Sequence, residues 1–119
     1  MIISRDFVIH FAEDWIESWN SHDLDRILSH YADDFEMSSP VIAQLMHVPS
    51  GTLHGKEAVR AYWTKALAQR PDLHFELANV FAGANSATIT YSGHRGLSAE
   101  VFWFNAELKV YRASAHYLA

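Results

Sequence analysis

The hydrophobic pattern of this chain changes its period at Pro71, and the change divides the sequence into two unlike parts. Before Pro71, most apolar residues recur every three or four positions, which is the spacing of amphipathic helices. After Pro71, apolar and polar residues alternate, which is the pattern of strands that cover a core with one face. Helices followed by a run of antiparallel strands indicate an α+β fold, with the helices packed on one face of the sheet.

Two long helices and one short helix are predicted in the first part. The first long helix covers residues 4–19, and the second runs from about residue 56 to residue 69, where Pro71 prevents its continuation. The short helix follows the break at Asn20 and Ser21, and it places Tyr31 on its apolar face. These helices are too apolar on one face to stand alone, so they need a shared partner such as a sheet.

Five strands are predicted from alternation and from turn residues. They lie at residues 35–39, 73–77, 87–91, 98–105 and 109–117. Pro40 ends the first strand, and residues 41–55 then form a long connection. A connection of that length in a small domain is usually functional, so we interpret it as a lid that includes His47.

Glu100 carries the clearest functional signal. It lies on the same face of its strand as Phe102 and Phe104, because side chains alternate along a strand. An ionised carboxyl group among aromatic rings is costly, so it must find a donor, become neutral or face water. Two interpretations stay open: an acid or hydrogen-bond donor in a ligand pocket, or a structural carboxylate. The structural alternative predicts a bond to one of three partners, Trp15, Tyr62 or Tyr91.

Composition excludes several classes of function. The 119 residues suit one domain, here residues 1–119, and the net charge of −5 without a basic cluster argues against nucleic acid as a partner. The chain has no cysteine, which rules out disulfides and thiolate metal sites. Arg5, Asp6 and His10 interrupt the apolar residues near the start, so we expect no signal peptide and no membrane contact. A cytoplasmic protein is therefore expected.

The eight histidines raise the question of a metal site. None of them forms the i, i+4 pair with an acidic partner that a helical metal site needs. We therefore expect neither a metal ion nor another cofactor.

Several short motifs together resemble the nuclear transport factor 2-like superfamily. The motifs are Trp19-Asn20-Ser21-His22-Asp23-Leu24, Tyr31-Ala32-Asp33-Asp34, Ser39-Pro40, Gly55-Lys56-Glu57-Ala58-Val59-Arg60-Ala61-Tyr62, and the run from Phe102 to Tyr117. The resemblance implies a cone, in which a curved, mixed and mostly antiparallel sheet wraps around the N-terminal helices, as in cystatin-like folds. The superfamily includes SnoaL-like enzymes, ketosteroid isomerases and non-catalytic interaction proteins, so the fold alone does not set the function.

The ketosteroid isomerases offer a catalytic pattern that this chain matches only in part. Where they have a catalytic aspartate before a proline, this chain has Ser39, and where they have an oxyanion tyrosine it has Trp15. Their protonated aspartic acid corresponds to Glu100. A serine without a neighbouring base cannot remove a carbon-bound proton efficiently, so this isomerisation is not expected.

These observations predict a pocket for a small hydrophobic or aromatic molecule, with possible acid–base catalysis through Glu100 and Tyr91. The side chains expected to line the pocket are Trp15, Trp19, Tyr31, Ser39, Tyr62, Trp63, Phe75, Phe102, Phe104 and Tyr117. The alternative is a non-catalytic interaction or dimerisation module whose aromatic residues fill the cone.

The register of the last strand decides what lies near Glu100. The favoured register turns Tyr111, Ala113, Ala115 and Tyr117 towards the cavity and leaves Arg112 and His116 outside, whereas a single bulge would exchange the two sets. In the favoured register, the outer face of the sheet carries an apolar patch with a tryptophan, which indicates an interface. The family resemblance implies that this interface forms a two-fold homodimer. The residues expected in that patch are Val101, Trp103, Val110 and Arg112.

Overall fold

The part of the chain that the structure, a computed structural model, describes is residues 2–119, and it contains four helices and six strands. The helices are α1 (Arg5–Ser21), α2 (Leu24–Leu28), α3 (Pro40–Leu45) and α4 (Lys56–Gln69). The strands are β1 (Tyr31–Ser38), β2 (Thr52–His54), β3 (Glu76–Ala82), β4 (Ser86–Gly93), β5 (Gly96–Phe104) and β6 (Val110–Tyr117).

The six strands form one curved sheet in the order β2-β1-β6-β5-β4-β3. Strands β1 and β6 are parallel, and every other neighbouring pair in this sheet is antiparallel. The sheet curves around the helices, with α1 against β3 and α4 against β1. The predicted α+β fold of the nuclear transport factor 2-like type is therefore confirmed.

Helix α1 provides the centre of the core. The Ser4 hydroxyl accepts a hydrogen bond from the Phe7 amide at its start, and His22 ends it in a left-handed conformation with φ 62°. Its buried face carries Phe11 and Trp15, and Phe11 packs edge-on against two aromatic rings of β5. Aromatic contacts of this kind hold the helix in the concave side of the sheet.

Residues 41–55 do not form the long loop that the sequence predicted, because they contain most of helix α3 and all of strand β2. Ser39 does not continue the strand; its hydroxyl accepts a hydrogen bond from the Val41 amide, and Pro40 is the first residue of α3. A serine cap followed by proline is a helix start, and the strand pattern before it concealed that signal. The same connection then supplies β2, which pairs with the end of β1.

Tyr31 also lies outside its predicted element. Helix α2 ends at Leu28, and Tyr31 is the first residue of β1. Its side chain is nevertheless buried, as the helical pattern predicted. Similarly, residues 73–75 precede β3, which begins at Glu76, and Leu77 is largely exposed.

The last strand has the favoured register with one irregularity. Ala113 and Ala115 are buried, whereas Arg112 and His116 are exposed on the other face. A bulge opposite Trp103 and Phe104 reverses the two residues at the start of the strand. Val110 is therefore buried and Tyr111 is exposed, which is the opposite of the prediction for both.

The outer face of the sheet keeps the other members of the predicted patch. Val101 and Trp103 are half-buried there, and the guanidinium of Arg112 lies 4.8 Å from the centre of a Trp103 ring. Within residues 2–119, every helix is too short or too polar to cross a lipid bilayer.

Candidate functional site

A cavity of about 840 Å³ opens between the helices and the concave face of the sheet. Its walls come from α1, α3, α4, the β4–β5 hairpin and the end of β6. Three residues of the predicted connection over 41–55 line one side of the cavity, namely Val41, Gln44 and Leu45. His47 is exposed and lies outside the lining.

Glu100 lies in the wall of this cavity, on the central strand β5. Its neighbours across the sheet are Ile89 on β4 and Ala115 on β6. Only 4% of the surface of Glu100 is exposed, although the residue lines the cavity. The small Ala115 beside it leaves room for a ligand next to the carboxyl group.

Burial raises the pKa of the Glu100 carboxyl group to about 7. The Tyr91 hydroxyl donates a hydrogen bond of 3.0 Å to Glu100 Oε1, and this bond acts in the opposite direction by favouring the ionised form. Burial and the neighbouring Glu100 raise the pKa of Tyr91 well above its usual value, so Tyr91 keeps its proton and remains a donor. At neutral pH the carboxyl group therefore exists in both protonation states.

Aromatic rings form the wall on both sides of this pair. Phe75 packs against Tyr91 with 4.6 Å between ring centres, and it lies almost parallel to Trp15 at 6.0 Å. Trp19 meets Trp63 edge-on at 5.1 Å. Aromatic side chains in a cavity wall suit a ligand that is itself flat and apolar.

The structure brings most of the predicted site residues together around the cavity. Those in the lining are Trp15, Trp19, Tyr62, Trp63, Phe75, Tyr91, Glu100 and Tyr117. Burial raises the pKa of both Tyr62 and Tyr117, so these two hydroxyls also stay protonated.

Four predicted site residues lie elsewhere. Phe102 and Phe104 are fully buried under Phe11, and Tyr31 accepts a 3.0 Å hydrogen bond from Trp15 Nε1 in the core. Ser39 caps α3 and borders a second, shallower cleft. Phe102 and Phe104 were assigned from alternation and Tyr31 from a helical period, and such patterns show the inward face but do not separate the core from the cavity.

Sequence reasoning missed the polar residues around the cavity mouth. Arg70 follows α4, and His94 and Arg95 form the turn between β4 and β5. Each belongs to a loop, where no periodicity marks the direction of a side chain. Among residues 2–119, no three His, Asp or Glu side chains form a group that could hold a metal ion.

The sequence model of the SnoaL-like domain matches residues 12–114, which include every helix and strand that lines the cavity except the first turns of α1 and the last residues of β6. The chain belongs to the SnoaL-like family. A SnoaL-like protein of unknown function from Burkholderia thailandensis is 52% identical, with all of both chains covered and a TM-score of 0.96.

More distant structures share the fold of this SnoaL-like chain. The epoxide hydrolase/cyclase-like enzyme SalBIII, which has a role in pyran ring formation in the polyether salinomycin, is 15% identical over 97% of this chain and 93% of its own, with a TM-score of 0.76. A protein of unknown function from Burkholderia pseudomallei is 14% identical over 92% and 89%, with a TM-score of 0.74. At these identities the likeness shows the fold alone. Curated protein sequences give no match to this SnoaL-like chain.

Proposed function

We propose that this SnoaL-like chain, as one domain, binds a small hydrophobic or aromatic molecule in the cavity and performs acid–base chemistry on it through Glu100. The observation that carries the proposal is a buried carboxyl group with a pKa of about 7 in the wall of an aromatic cavity. A group with a pKa near the working pH can both accept and return a proton, which is the requirement for general acid–base catalysis.

The roles follow from the geometry around Glu100. The ionised carboxylate would remove a proton from the ligand, and the resulting carboxylic acid would deliver it to another atom of the same molecule. Tyr91 would hold Oε1 through its 3.0 Å hydrogen bond, so that the other oxygen is left to act on the ligand. This sequence of transfers fits an isomerase, dehydratase or cyclase.

The alternative of a filled cone has less support. A module whose aromatic residues occupy all of the interior would leave no space beside Glu100, whereas the cavity measures about 840 Å³. The remaining alternative is a protein that binds the same kind of ligand without catalysis, and an experiment distinguishes it from an enzyme.

Proton exchange tests the catalytic role without knowledge of the natural substrate. Aryl ketones and cyclic unsaturated ketones are incubated with the protein in deuterated buffer, and exchange at the carbon beside the carbonyl is followed by NMR. We expect exchange above the buffer rate with the wild type and a loss of about a hundredfold or more in Glu100→Gln, because general acid–base groups contribute roughly that factor.

The matched control for this experiment is Glu107→Gln, which removes an exposed carboxyl group from the β5–β6 turn. It should exchange the ketones as the wild type does. Ketones that bind without exchange would contradict catalysis and select the non-catalytic binder.

The proposal extends to assembly and location. We propose a homodimer formed through the outer face of the sheet, supported by the half-buried Trp103 and Val101 on that face. The cytoplasmic location remains a prediction.

A further inference from the structure

The mouth of the cavity differs in chemistry from its aromatic interior. Arg70, directly after α4, and the hairpin residues His94 and Arg95 all line the opening. Burial and the two neighbouring arginines lower the pKa of His94, so this ring is neutral at pH 7. The fixed positive charges of the mouth therefore belong to the arginines.

These arginines carry more positive charge than the protein neutralises locally. The contact between Arg70 Nη2 and Asp72 Oδ2 is long, at 3.6 Å, and within residues 2–119 no carboxylate oxygen lies within 4.0 Å of Arg95. The guanidinium of Arg95 instead lies 5.6 Å from the centre of the Tyr117 ring. Two arginines and one aspartate leave an excess of one positive charge, in a chain whose net charge is −5. The arginine charge that no carboxylate fully neutralises indicates a negatively charged ligand group at the mouth.

We propose that the ligand is an aromatic or alicyclic monocarboxylate whose carboxylate group binds Arg95 and Arg70 at the mouth while its ring system extends towards Glu100. Arginine binds carboxylates through paired charge-assisted hydrogen bonds, and one excess positive charge suits a single negative one. The inference rests on the proposed function, because it names the class of molecule that Glu100 acts on.

The reverse orientation is disfavoured. A ligand carboxylate beside Glu100 would place two like charges in a buried site, which raises the free energy of both ionised forms. Along β5, the four residue steps from Gly96 to Glu100 span about 14 Å, so a ring system fits between the mouth and Glu100. The cavity therefore has an anion-binding end at the arginines of the mouth and a reacting end at Glu100.

Binding of matched acids and amides tests this inference. Phenylacetate and naphthylacetate are compared with phenylacetamide and naphthylacetamide, which have nearly the same shape but no charge. Quenching of tryptophan fluorescence reports binding, since Trp15, Trp19 and Trp63 line the cavity. We expect each acid to bind the wild type about tenfold more tightly than its amide, and the ratio to fall as salt is added.

Arg95→Gln should bring the acid-to-amide ratio close to one, because it removes the excess positive charge of the mouth. The residue lies in an exposed turn, so its loss should leave the fold intact. Arg5→Gln is the control, as it removes an equally exposed positive charge at the start of α1 and should keep the wild-type ratio. A ratio near one in the wild type, or an unchanged ratio in Arg95→Gln, would overturn the inference while the cavity proposal stands. Failure of acids and amides alike to bind would contradict both proposals.

Discussion

The buried carboxyl group of Glu100 gives the folding stability a pH dependence. Its pKa is raised from 4.5 to about 7, so between these values the native state holds a proton that the unfolded state has released. The free energy of unfolding therefore falls as the pH rises from about 4.5 to about 7, by up to about 3 kcal/mol. Above pH 7 the cost of the buried charge is fully present.

Glu100→Gln should remove this dependence, since glutamine is neutral at every pH. Relative to the wild type, the variant should become more stable as the pH rises from about 5 to about 8, as measured by urea unfolding at each pH. Glu107→Gln should follow the wild type, because that side chain is exposed. A stability difference between Glu100→Gln and the wild type that stays constant with pH would contradict the burial of an ionisable group.

Tyr91 lowers the pKa of Glu100, whereas burial raises it. Its hydroxyl donates to Oε1 at 3.0 Å and favours the ionised carboxylate. Tyr91→Phe should therefore raise the pKa of Glu100 further, and it should cost about 1 kcal/mol of stability for the lost hydrogen bond. The midpoint is measured from the Glu100 side-chain carbon signal in NMR. A midpoint that moves to lower pH would show that the hydroxyl does not stabilise the carboxylate.

The residues of the site differ in how clearly the sequence marks them. Glu100 could be predicted because an isolated acid in an aromatic strand is energetically conspicuous. Arg70 and Arg95 could not, since charged residues in loops are common and only the folded chain brings them to one opening. Phe102 was predicted to line the cavity, but α1 covers its ring, and no local pattern shows where a helix will lie.

At the scale of elements, long periodic segments were predictable and short ones were not. Helices α1 and α4 and strands β4 and β5 are long enough for their period to show. Helix α3 has six residues, which is less than two turns, so its Ser39-Pro40 start was the one available signal. The parallel pairing of β1 with β6 joins distant parts of the chain, and no local pattern indicated it; the family resemblance implied only that the sheet is mixed.

The β4–β5 hairpin depends on the absence of a side chain at Gly93. A Cβ atom there would lie 2.8 Å from Phe75 Cδ1, which is too close for two carbon atoms. Gly93→Ala should therefore displace the Phe75 ring from Tyr91 and destabilise the fold by about 1–3 kcal/mol. It should also weaken the binding of naphthylacetamide, because Phe75 is part of the aromatic wall.

Thermal unfolding and fluorescence titration measure both effects of Gly93→Ala. Ser92→Ala is the matched control, as Ser92 precedes Gly93 on the same strand with its side chain exposed. It should change neither the stability nor the affinity. An unaltered affinity in Gly93→Ala would mean that Phe75 does not contact the ligand.

At the scale of the whole molecule, the two faces of the sheet carry different surfaces. The concave face carries Glu100 and the cavity, and the outer face carries Val101 and Trp103 of the same strand. Because side chains alternate, β5 contributes to both faces at once. A dimer on the outer face would thus brace the strand that holds the buried carboxyl group without closing the cavity mouth.

The dimer is tested by placing a charge on this outer face. In a two-fold interface each subunit presents the same surface, so Trp103→Glu introduces one negative charge from each side of the contact. We expect the wild type to sediment as a dimer and Trp103→Glu to weaken association at least tenfold, because like charges brought together are costly and an aromatic contact is lost. Ile9→Glu changes a partly exposed residue of α1 in the other layer and should leave the dimer intact. A monomeric wild type, or a Trp103→Glu variant that dimerises as before, would contradict the proposed dimer. The half-buried Trp103 would then be covered by Arg112 alone, whose guanidinium lies 4.8 Å from the centre of its ring.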